Sequence, residues 1–299
     1  MRQEDLTVFE YRMSKEVRNT DEIMEERLHG KYEKGSVPSK TAGYVDFMIY
    51  RPEGYNGTDV LPAVFSFHGG GFVLGYYETD GKYCQKLADL SGCAVINVDY
   101  PLAPEFKFPK PLLASYEAVT EVVKRADYYH LDKDNVMVIG HSAGGAIAAV
   151  MCLMDREQKQ IGLKGLIIDY APLRQSLSPE DRKALDPDKA IAPSRMVQYI
   201  NWYFDDLNDM DHIYASPVLA DLHDLPRTLV IAAEYDSLSE EDRQFAEKAK
   251  AAGVDTTYVL FPECQHGFTH EAFSEYRKED AQKAWNLMAS FIKETVKKN

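Results

Sequence analysis

The chain has 299 residues, of which 45% are hydrophobic and 27% charged, as in an ordinary globular protein with one large domain. Its net charge of -14 argues against nucleic acid, anionic membrane surfaces and acidic substrates as binding partners, because like charges repel. Since no run of about 18 apolar residues could span a bilayer and Met1–Asp5 lacks the apolar core of a signal peptide, we expect a cytoplasmic protein with reduced cysteines.

The first 40 residues form a segment of their own. Residues 1–35 are charged with scattered apolar side chains, which predicts one or two short amphipathic helices acting either as a lid or as a terminal arm. We assign residues 1–40 to an N-terminal cap segment and residues 41–299 to an α/β domain. The first strands of that domain are predicted at 44–50 and 61–67, and the second is nearly all apolar, as in a parallel sheet covered by helices.

A glycine run follows the second strand, in the sequence His68-Gly69-Gly70-Gly71-Phe72. Successive glycines expose backbone N–H groups with no side chain in the way, which is what binding a developing oxyanion requires. On its own, such a run is more typical of a flexible loop. We interpret His68 as a structural residue that braces the loop rather than as a second base.

The following elements alternate between helix and strand. A helix at 81–90, a buried strand at 93–98 and a helix at 111–124 precede a β-branched strand at 136–139. This alternation predicts an α/β fold with an open, mostly parallel, doubly wound sheet flanked by helices.

The strand at 136–139 runs through Gly140-His141-Ser142-Ala143-Gly144 into small, helix-forming residues, which predicts a strand, a tight turn and a helix. The flanking glycines leave room for a strained turn that exposes the Ser142 hydroxyl at the carboxyl edge of the sheet. The amide of Ala143 lies in the first helical turn, where it can receive an oxyanion. Gly-x-Ser-x-Gly often occurs by chance, and the strand and helix around this copy set it apart.

A long segment interrupts the alternation after a strand predicted at 163–170. About fifty residues, 171–222, stand where a helix would normally follow within a few residues, and insertions of that length are usually functional covers. We predict a helical cap at about 174–215 that packs with the N-terminal segment above Ser142. Most of its aromatic side chains are interpreted as the core of the cap itself.

The last two strands, at 228–233 and 256–261, supply an acid and a base. Asp236 follows its strand directly, whereas the acids at 240–242 already lie in the next helix. His266 follows the other strand, and Gly267 lets its loop bend inward. The nearest rival base, His270, is expected at the surface.

Serine, acid and histidine, each at the carboxyl end of a strand, follow the chain order of an α/β-hydrolase triad. Together with the other motifs, this order resembles the hormone-sensitive-lipase-like family of α/β-hydrolase carboxylesterases, from about residue 44 to the C-terminus. The matching residues are His68-Gly69-Gly70-Gly71, Tyr100-Pro101-Leu102-Ala103-Pro104-Glu105, Gly140-His141-Ser142-Ala143-Gly144-Gly145, Glu234-Tyr235-Asp236-Ser237-Leu238 and His266-Gly267-Phe268.

The resemblance implies an α/β-hydrolase fold with a helical cap and assigns the site residues. Ser142 would be the nucleophile, His266 the base and Asp236 its partner. The implied oxyanion-hole amides are those of Gly70, Gly71 and Ala143, with Gly69 as an alternative. The family usually has aspartate before the serine and arginine after the tyrosine of the Tyr-x-Leu-Ala-Pro-Glu loop, where this chain has His141 and Pro101. We expect these two departures from the family pattern to affect the electrostatics near the turn at Ser142 and the choice of substrate, but not the reaction class.

The implied activity is that of a serine carboxylesterase acting through an acyl-enzyme, with a small-molecule ester and water as partners and no metal or cofactor. Bulky residues in both cap segments predict a pocket for small, uncharged, short-chain acyl esters. Candidate pocket residues are Phe72, His141, Trp202 and Tyr203. The alternatives are an amidase or peptidase with the same triad, and a hydrolase-fold small-molecule receptor, which is expected to have lost a triad member. The oligomeric state stays open, with a homodimer as one alternative.

Overall fold

A computed structural model describes residues 6–298, apart from the side chains of residues 16–18 and 298. Its strands are β1 (Tyr32–Ser39), β2 (Gly43–Tyr50), β3 (Leu61–Phe67), β4 (Ala94–Asp99), β5 (Leu131–His141), β6 (Gly165–Asp169), β7 (Arg227–Ala233) and β8 (Thr256–Phe261). Its α-helices are α1 (Val8–His29), α2 (Gly81–Ser91), α3 (Lys110–Lys124), α4 (Ala143–Gln158), α5 (Pro193–Tyr203), α6 (Ser239–Ala251) and α7 (Lys278–Lys298).

The eight strands form one sheet in the order β1-β2-β4-β3-β5-β6-β7-β8. The pairs from β4 to β8 are parallel, whereas β2 pairs antiparallel with both β1 and β4. Central strands such as β6 are buried along their whole length, as expected when helices cover both faces. The predicted α/β class with a mostly parallel sheet is confirmed.

Two layers of helices enclose the sheet. Side chains of α3, α4 and α6 share one apolar cluster with Phe65 and Val138, while those of α2 and α7 share the other with Val64 and Met137. Neighbouring residues of β3 and β5 therefore point to opposite layers, as the alternation of side chains along a strand requires. The carboxyl ends of the parallel strands are left free to carry loops at one edge of the sheet.

The N-terminal segment differs from the prediction. A single helix, α1, takes the place of one or two short helices, and the side chain of Thr7 together with Glu10 forms its capping box. Residues 32–39, which we assigned to the cap segment 1–40, form β1, because their main chain pairs with β2 along eight positions. The first five residues of that assignment lie outside the described range.

The insertion after β6 contains one α-helix, α5, and several short 3₁₀ helices. Tyr11 of α1 and Tyr199 of α5 join the two cap segments through their hydroxyls, whose oxygens are 2.8 Å apart. Among the helices of residues 6–298, none combines the length and the hydropathy that a membrane span requires.

The turn between β5 and α4 depends on two glycines that have no room for a side chain. A Cβ atom at Gly140 would overlap the carbonyl of Gly144, and one at Gly144 would overlap the carbonyls of Phe67 and His68 on the neighbouring strand and its loop. Backbone cannot yield as the end of a flexible side chain can. Glycine at these positions therefore sets how closely the turn approaches β3.

We expect Gly144→Ala to lower the free energy of unfolding by about 2 kcal/mol or more, because the added methyl group meets backbone. Thermal denaturation followed by circular dichroism measures the effect. Gly75→Ala is the matched control, since only Leu102 Cδ1, at 3.4 Å, would lie near its added Cβ. Equal melting temperatures for the two variants would contradict the close approach described here.

Candidate active site

Ser142 lies at the tip of the turn between β5 and α4. Its backbone has φ 51° and ψ -122°, a strained conformation that turns the chain sharply from strand into helix. The Ser142 amide donates to the main-chain oxygen of Asp169 at the end of β6, at 2.9 Å. The nucleophile candidate is thus held by the sheet on one side and by the start of α4 on the other.

The structure brings the three predicted triad residues together in one hydrogen-bonded row. His266 Nε2 lies 2.8 Å from Ser142 Oγ, and His266 Nδ1 lies 2.6 Å from Asp236 Oδ2. The other carboxylate oxygen of Asp236 accepts the amide of Leu238. Because Asp236 is fully buried and its carboxylate can only accept, it fixes the proton on Nδ1 and leaves Nε2 facing the serine.

The pKa of His266 is raised above its ordinary value. Burial by itself would lower the pKa, but the charge and hydrogen bond of Asp236, with smaller contributions from Asp169 and Glu275, outweigh it. These carboxylates stabilise an imidazolium at this position. A histidine in this setting can take up a proton from Ser142 and hold it while charge develops elsewhere.

The glycine run forms the wall facing Ser142. A Cβ at Gly69 would lie 3.4 Å from the Ser142 Cβ, so the run passes directly beside the serine. Gly70 and Gly71 have φ values of 110° and 61°, which L side chains rarely adopt, and the Gly70 carbonyl accepts the amides of Val73 and Leu74. The backbone there is folded back on itself, a shape that requires glycine.

The amides of Gly70, Gly71 and Ala143, predicted as the oxyanion hole, donate no hydrogen bond within the part of the chain that the structure describes. All three residues are part of, or adjoin, the wall beside Ser142. Gly69, the alternative, also lies in this wall, next to His141 and Ser142. Backbone donors of this kind, grouped beside a nucleophile and next to a helix N-terminus, can bind a developing negative charge.

The side chain of His68 packs against the glycine run. Its ring is buried, stacks on Tyr100 at a centroid distance of 4.2 Å, and brings Nδ1 to 2.7 Å from the Gly69 carbonyl. The Tyr100 hydroxyl in turn donates to the His68 carbonyl at 2.9 Å. Burial lowers the pKa of His68, although the Asp80 charge opposes this. The geometry agrees with the interpretation of His68 as a brace.

A cavity of about 250 Å³ opens onto Ser142, His266 and the glycine run. Its apolar walls come from the glycine loop, the cap and the last loop of the domain: Phe72, Leu74, Tyr76, Met196, Tyr199, Ile200, Tyr203, Phe204 and Phe273. Three of the four predicted pocket residues, Phe72, His141 and Tyr203, line this cavity.

The fourth, Trp202, does not line it. The side of α5 that faces the cavity carries residues 195, 196, 199, 200 and 203, which have the spacing of one helical face. Trp202 projects beside that face and packs against Tyr11 and Tyr199 at ring distances of 5.6 and 6.1 Å. The prediction treated neighbouring aromatic residues alike, whereas the helix periodicity separates Trp202 from Tyr203.

His270 is not at the surface, contrary to our expectation. The loop turns inward at Gly267, with φ 84°, and buries His270 to 4% exposure between Tyr83 and Trp285. Its Nδ1 lies 3.0 Å from the Tyr170 hydroxyl. Burial lowers the pKa of His270, although the hydrogen bond and charge of Asp80 oppose this.

Sequence reasoning missed the partner of His141. Its Nδ1–H donates to Asp169 Oδ2 at 2.7 Å, and both side chains are buried. The two residues are opposite each other in the β5–β6 register, a relation that only strand order and register reveal. An alternating or apolar strand pattern gives no signal for such a pair.

The anchoring of the cap was also missed. Arg182 in the insertion forms a buried ion pair with Glu241 of α6 at 2.8 Å, and its other nitrogens donate to the carbonyls of Arg174 and Leu177. At the other cap segment, Arg12 of α1 makes a two-pronged contact with Glu105. Arg12 thus fixes α1 to the loop after β4, and Arg182 fixes the insertion to α6.

Comparison with known proteins identifies the relatives of this chain. A family model described as alpha/beta hydrolase fold matches residues 64–270. An arylesterase of Saccharolobus solfataricus is 32% identical over 200 residues, 64% of this chain and 63% of the relative. Carboxylesterase NlhH of Mycobacterium tuberculosis is 30% identical over 251 residues, 79% of this chain and 76% of the relative.

Among solved structures, a hyperthermophilic esterase from the archaeon Pyrobaculum calidifontis superposes with a TM-score of 0.88 at 32% identity, covering 98% of this chain and 93% of that one. Its likeness therefore includes the N-terminal helix and the cap as well as the sheet. The family model, the sequence relatives and the shared architecture lead to one conclusion. This chain belongs to the hormone-sensitive-lipase-like carboxylesterases of the alpha/beta hydrolase fold, a family of carboxylic ester hydrolases.

Proposed function

We propose that this ester hydrolase is a serine carboxylesterase acting through an acyl-enzyme on small, uncharged, short-chain acyl esters. The observation that carries the serine mechanism is the row Ser142–His266–Asp236, with contacts of 2.8 and 2.6 Å. Nucleophile, base and orienting acid at hydrogen-bonding distance are the arrangement that acyl transfer requires. A cytoplasmic location and a homodimer stay predictions.

The reaction proceeds in two halves. His266 Nε2 takes the proton of Ser142 Oγ as this oxygen attacks the ester carbonyl, and the amides of Gly70, Gly71 and Ala143 bind the resulting oxyanion. His266 then gives its proton to the departing alcohol, which leaves the acyl group on Ser142. Water attacks this acyl-enzyme, with His266 as base, and the carboxylic acid is released.

The cavity supports the choice of substrate. Its volume of about 250 Å³ is slightly below the ordinary range for drug-sized ligands, so it suits a small acyl or alcohol group. Most of the lining surface is apolar, which favours uncharged groups, and charged side chains such as Lys15, Lys189 and Arg195 form a smaller part of the lining. The net charge of -14 disfavours the approach of anionic esters.

Ser142→Ala should lower turnover by up to about a millionfold, leaving the slow catalysis of oxyanion hole and binding alone. Esterase assays with p-nitrophenyl esters measure the loss, and circular dichroism checks that the variant is folded. An alkyl phosphonate should phosphonylate Ser142 and release its leaving group, so that the peptide containing Ser142 gains the mass of the phosphonyl group in the wild type only. A variant with a tenth of wild-type activity, or an unlabelled serine, would refute the assignment.

Activity should fall as the pH is lowered through the pKa of His266, because only the neutral imidazole accepts the serine proton. Since the structure raises this pKa, the acid limb of kcat/KM should have its midpoint above the unperturbed value of about 6.5. His266→Ala should be nearly inactive at every pH. A flat profile from mildly acidic to neutral pH in the folded enzyme would contradict His266 as the base.

Specificity should rise with acyl length by roughly 0.8 kcal/mol for each methylene that fits and drop once the cavity is full. We expect the optimum of kcat/KM among short chains. Tyr203→Ala should move it to longer chains, because Tyr203 forms part of the cavity wall. A wild-type optimum at long, lipid-like chains would contradict the proposal.

Trp202→Ala is the matched control for this experiment. It removes a neighbouring aromatic ring from α5, but that ring does not line the cavity. We expect its acyl-length optimum to stay at the wild-type position. Corresponding amides assayed beside the esters test the amidase alternative, which predicts turnover of both at comparable rates.

A further inference from the structure

Asp169 ends β6 at the point where the nucleophile turn begins. Its main-chain oxygen accepts the amide of Ser142 at 2.9 Å, and its position in the parallel register is opposite His141. Its side chain is fully buried. The residue therefore holds the backbone of the nucleophile directly.

The carboxylate of Asp169 also contacts the loop that carries the base. Its Oδ2 accepts from His141 Nδ1 at 2.7 Å and from the Thr269 hydroxyl at 3.1 Å. Thr269 stands three residues after His266 in the same loop. One oxygen atom thus joins the residue before the nucleophile to the loop of the base, independently of the triad.

Tyr170 extends this connection. Its hydroxyl bonds Thr269 and lies 3.0 Å from His270 Nδ1, so it contacts two consecutive residues of the base loop. Its ring packs edge-on against His266 at a centroid distance of 4.9 Å. The end of β6 therefore contacts both the loop that carries His266 and the ring of His266 itself.

On the basis of the proposed function, we propose that Asp169 and Thr269 are positioning residues that hold Ser142 and His266 at reacting distance. The 2.8 Å contact between Ser142 and His266 needs both partners fixed, because a displacement of about 1 Å can cost on the order of a hundredfold in rate. The Asp169 carboxylate supplies a common anchor for both.

The same carboxylate acts on the base electrostatically. Burial lowers the pKa of His266, Asp236 raises it most strongly, and the Asp169 charge raises it further. The ionisable groups facing Asp169 come from four elements. They are His141 of β5, Tyr170 after β6, Asp242 of α6, and His266 and His270 of the base loop.

This arrangement gives a physical reason for His141. An aspartate there, as in the usual family pattern, would place a second carboxylate against buried Asp169, and two like charges in a buried site oppose each other. A histidine instead supplies the donor that the carboxylate needs. His141 and Asp169 are therefore interdependent in this chain.

The positioning role is tested with Thr269→Val, which keeps the side-chain shape and removes the hydroxyl. We expect kcat to fall by about tenfold while KM stays within about twofold, because the reacting groups and not the binding walls are displaced. Thr269→Ser should recover most of kcat. Thr228→Val is the matched control, since that buried hydroxyl donates to the Pro226 carbonyl at the start of β7.

The charge of Asp169 is tested with Asp169→Asn. Without the negative charge the imidazolium of His266 is less stable, so the acid limb of kcat/KM should move to lower pH. Asp155→Asn is the control, because Asp155 is a buried carboxylate at the far end of α4 that accepts backbone amides from 160–163.

Two results would overturn the inference: Thr269→Val with a kcat within about twofold of wild type, or Asp169→Asn with an unmoved acid limb. A drop in kcat as large in Thr228→Val as in Thr269→Val would also count against it. These outcomes differ from a failure of the proposed function, which would show as activity retained by Ser142→Ala.

Discussion

The site depends on the close approach of the turn after β5 to the end of β3. At this approach the backbone of residue 144 touches the Phe67 carbonyl, and glycine alone fits. Two residues before Gly144, Ser142 adopts a positive φ of 51°, and its hydroxyl oxygen lies 2.8 Å from His266 Nε2. The glycine run after β3 lies beside the serine. Ser142, the candidate nucleophile, and the wall that faces it therefore both lie beside this close contact.

The parallel sheet then gathers the remaining groups. Strands β3, β5, β7 and β8 all end at one edge, and the loops that follow them carry the glycine run, Ser142, Asp236 and His266. Residues far apart in sequence meet there because crossover helices return each strand in the same direction. The strands provide the framework, and the loops at this edge carry the candidate site residues.

The cap is held to this edge by two arginines that use different contacts. Arg12 of α1 donates to the carbonyls of Val73 and Ala103 and to both oxygens of Glu105, so it joins the N-terminal helix to the glycine loop. Arg182 is buried with Glu241 of α6. A guanidinium suits both places, because its fixed fork of donors satisfies several acceptors at once. The cap elements that line the cavity are thereby tied to the loops after β3 and β4 and to α6.

The features that the sequence predicts are those that depend on the local conformation of the backbone. The glycines around Ser142, the strand ends before Asp236 and His266, and the strand–helix alternation all leave local patterns, and the α/β class was confirmed from them. The pairing of β1 with the sheet, the burial of His270 and the displacement of Trp202 from the cavity depend instead on contacts between distant segments. Neither hydrophobic periodicity nor motif spacing in the sequence predicts such contacts.

Residue 141, immediately before Ser142, illustrates this difference between local sequence patterns and contacts of distant segments. The glycines of the turn after β5 are required by contacts between backbone atoms, and they match the family pattern. The side chain of residue 141 instead contacts a side chain on the neighbouring strand, β6. In this chain that side chain is Asp169, and a histidine is the residue that can donate to it. With histidine at position 141, Ser142 Oγ still lies 2.8 Å from His266 Nε2. The departure from the family motif at residue 141 therefore has a physical account in this chain, namely the contact of His141 with Asp169.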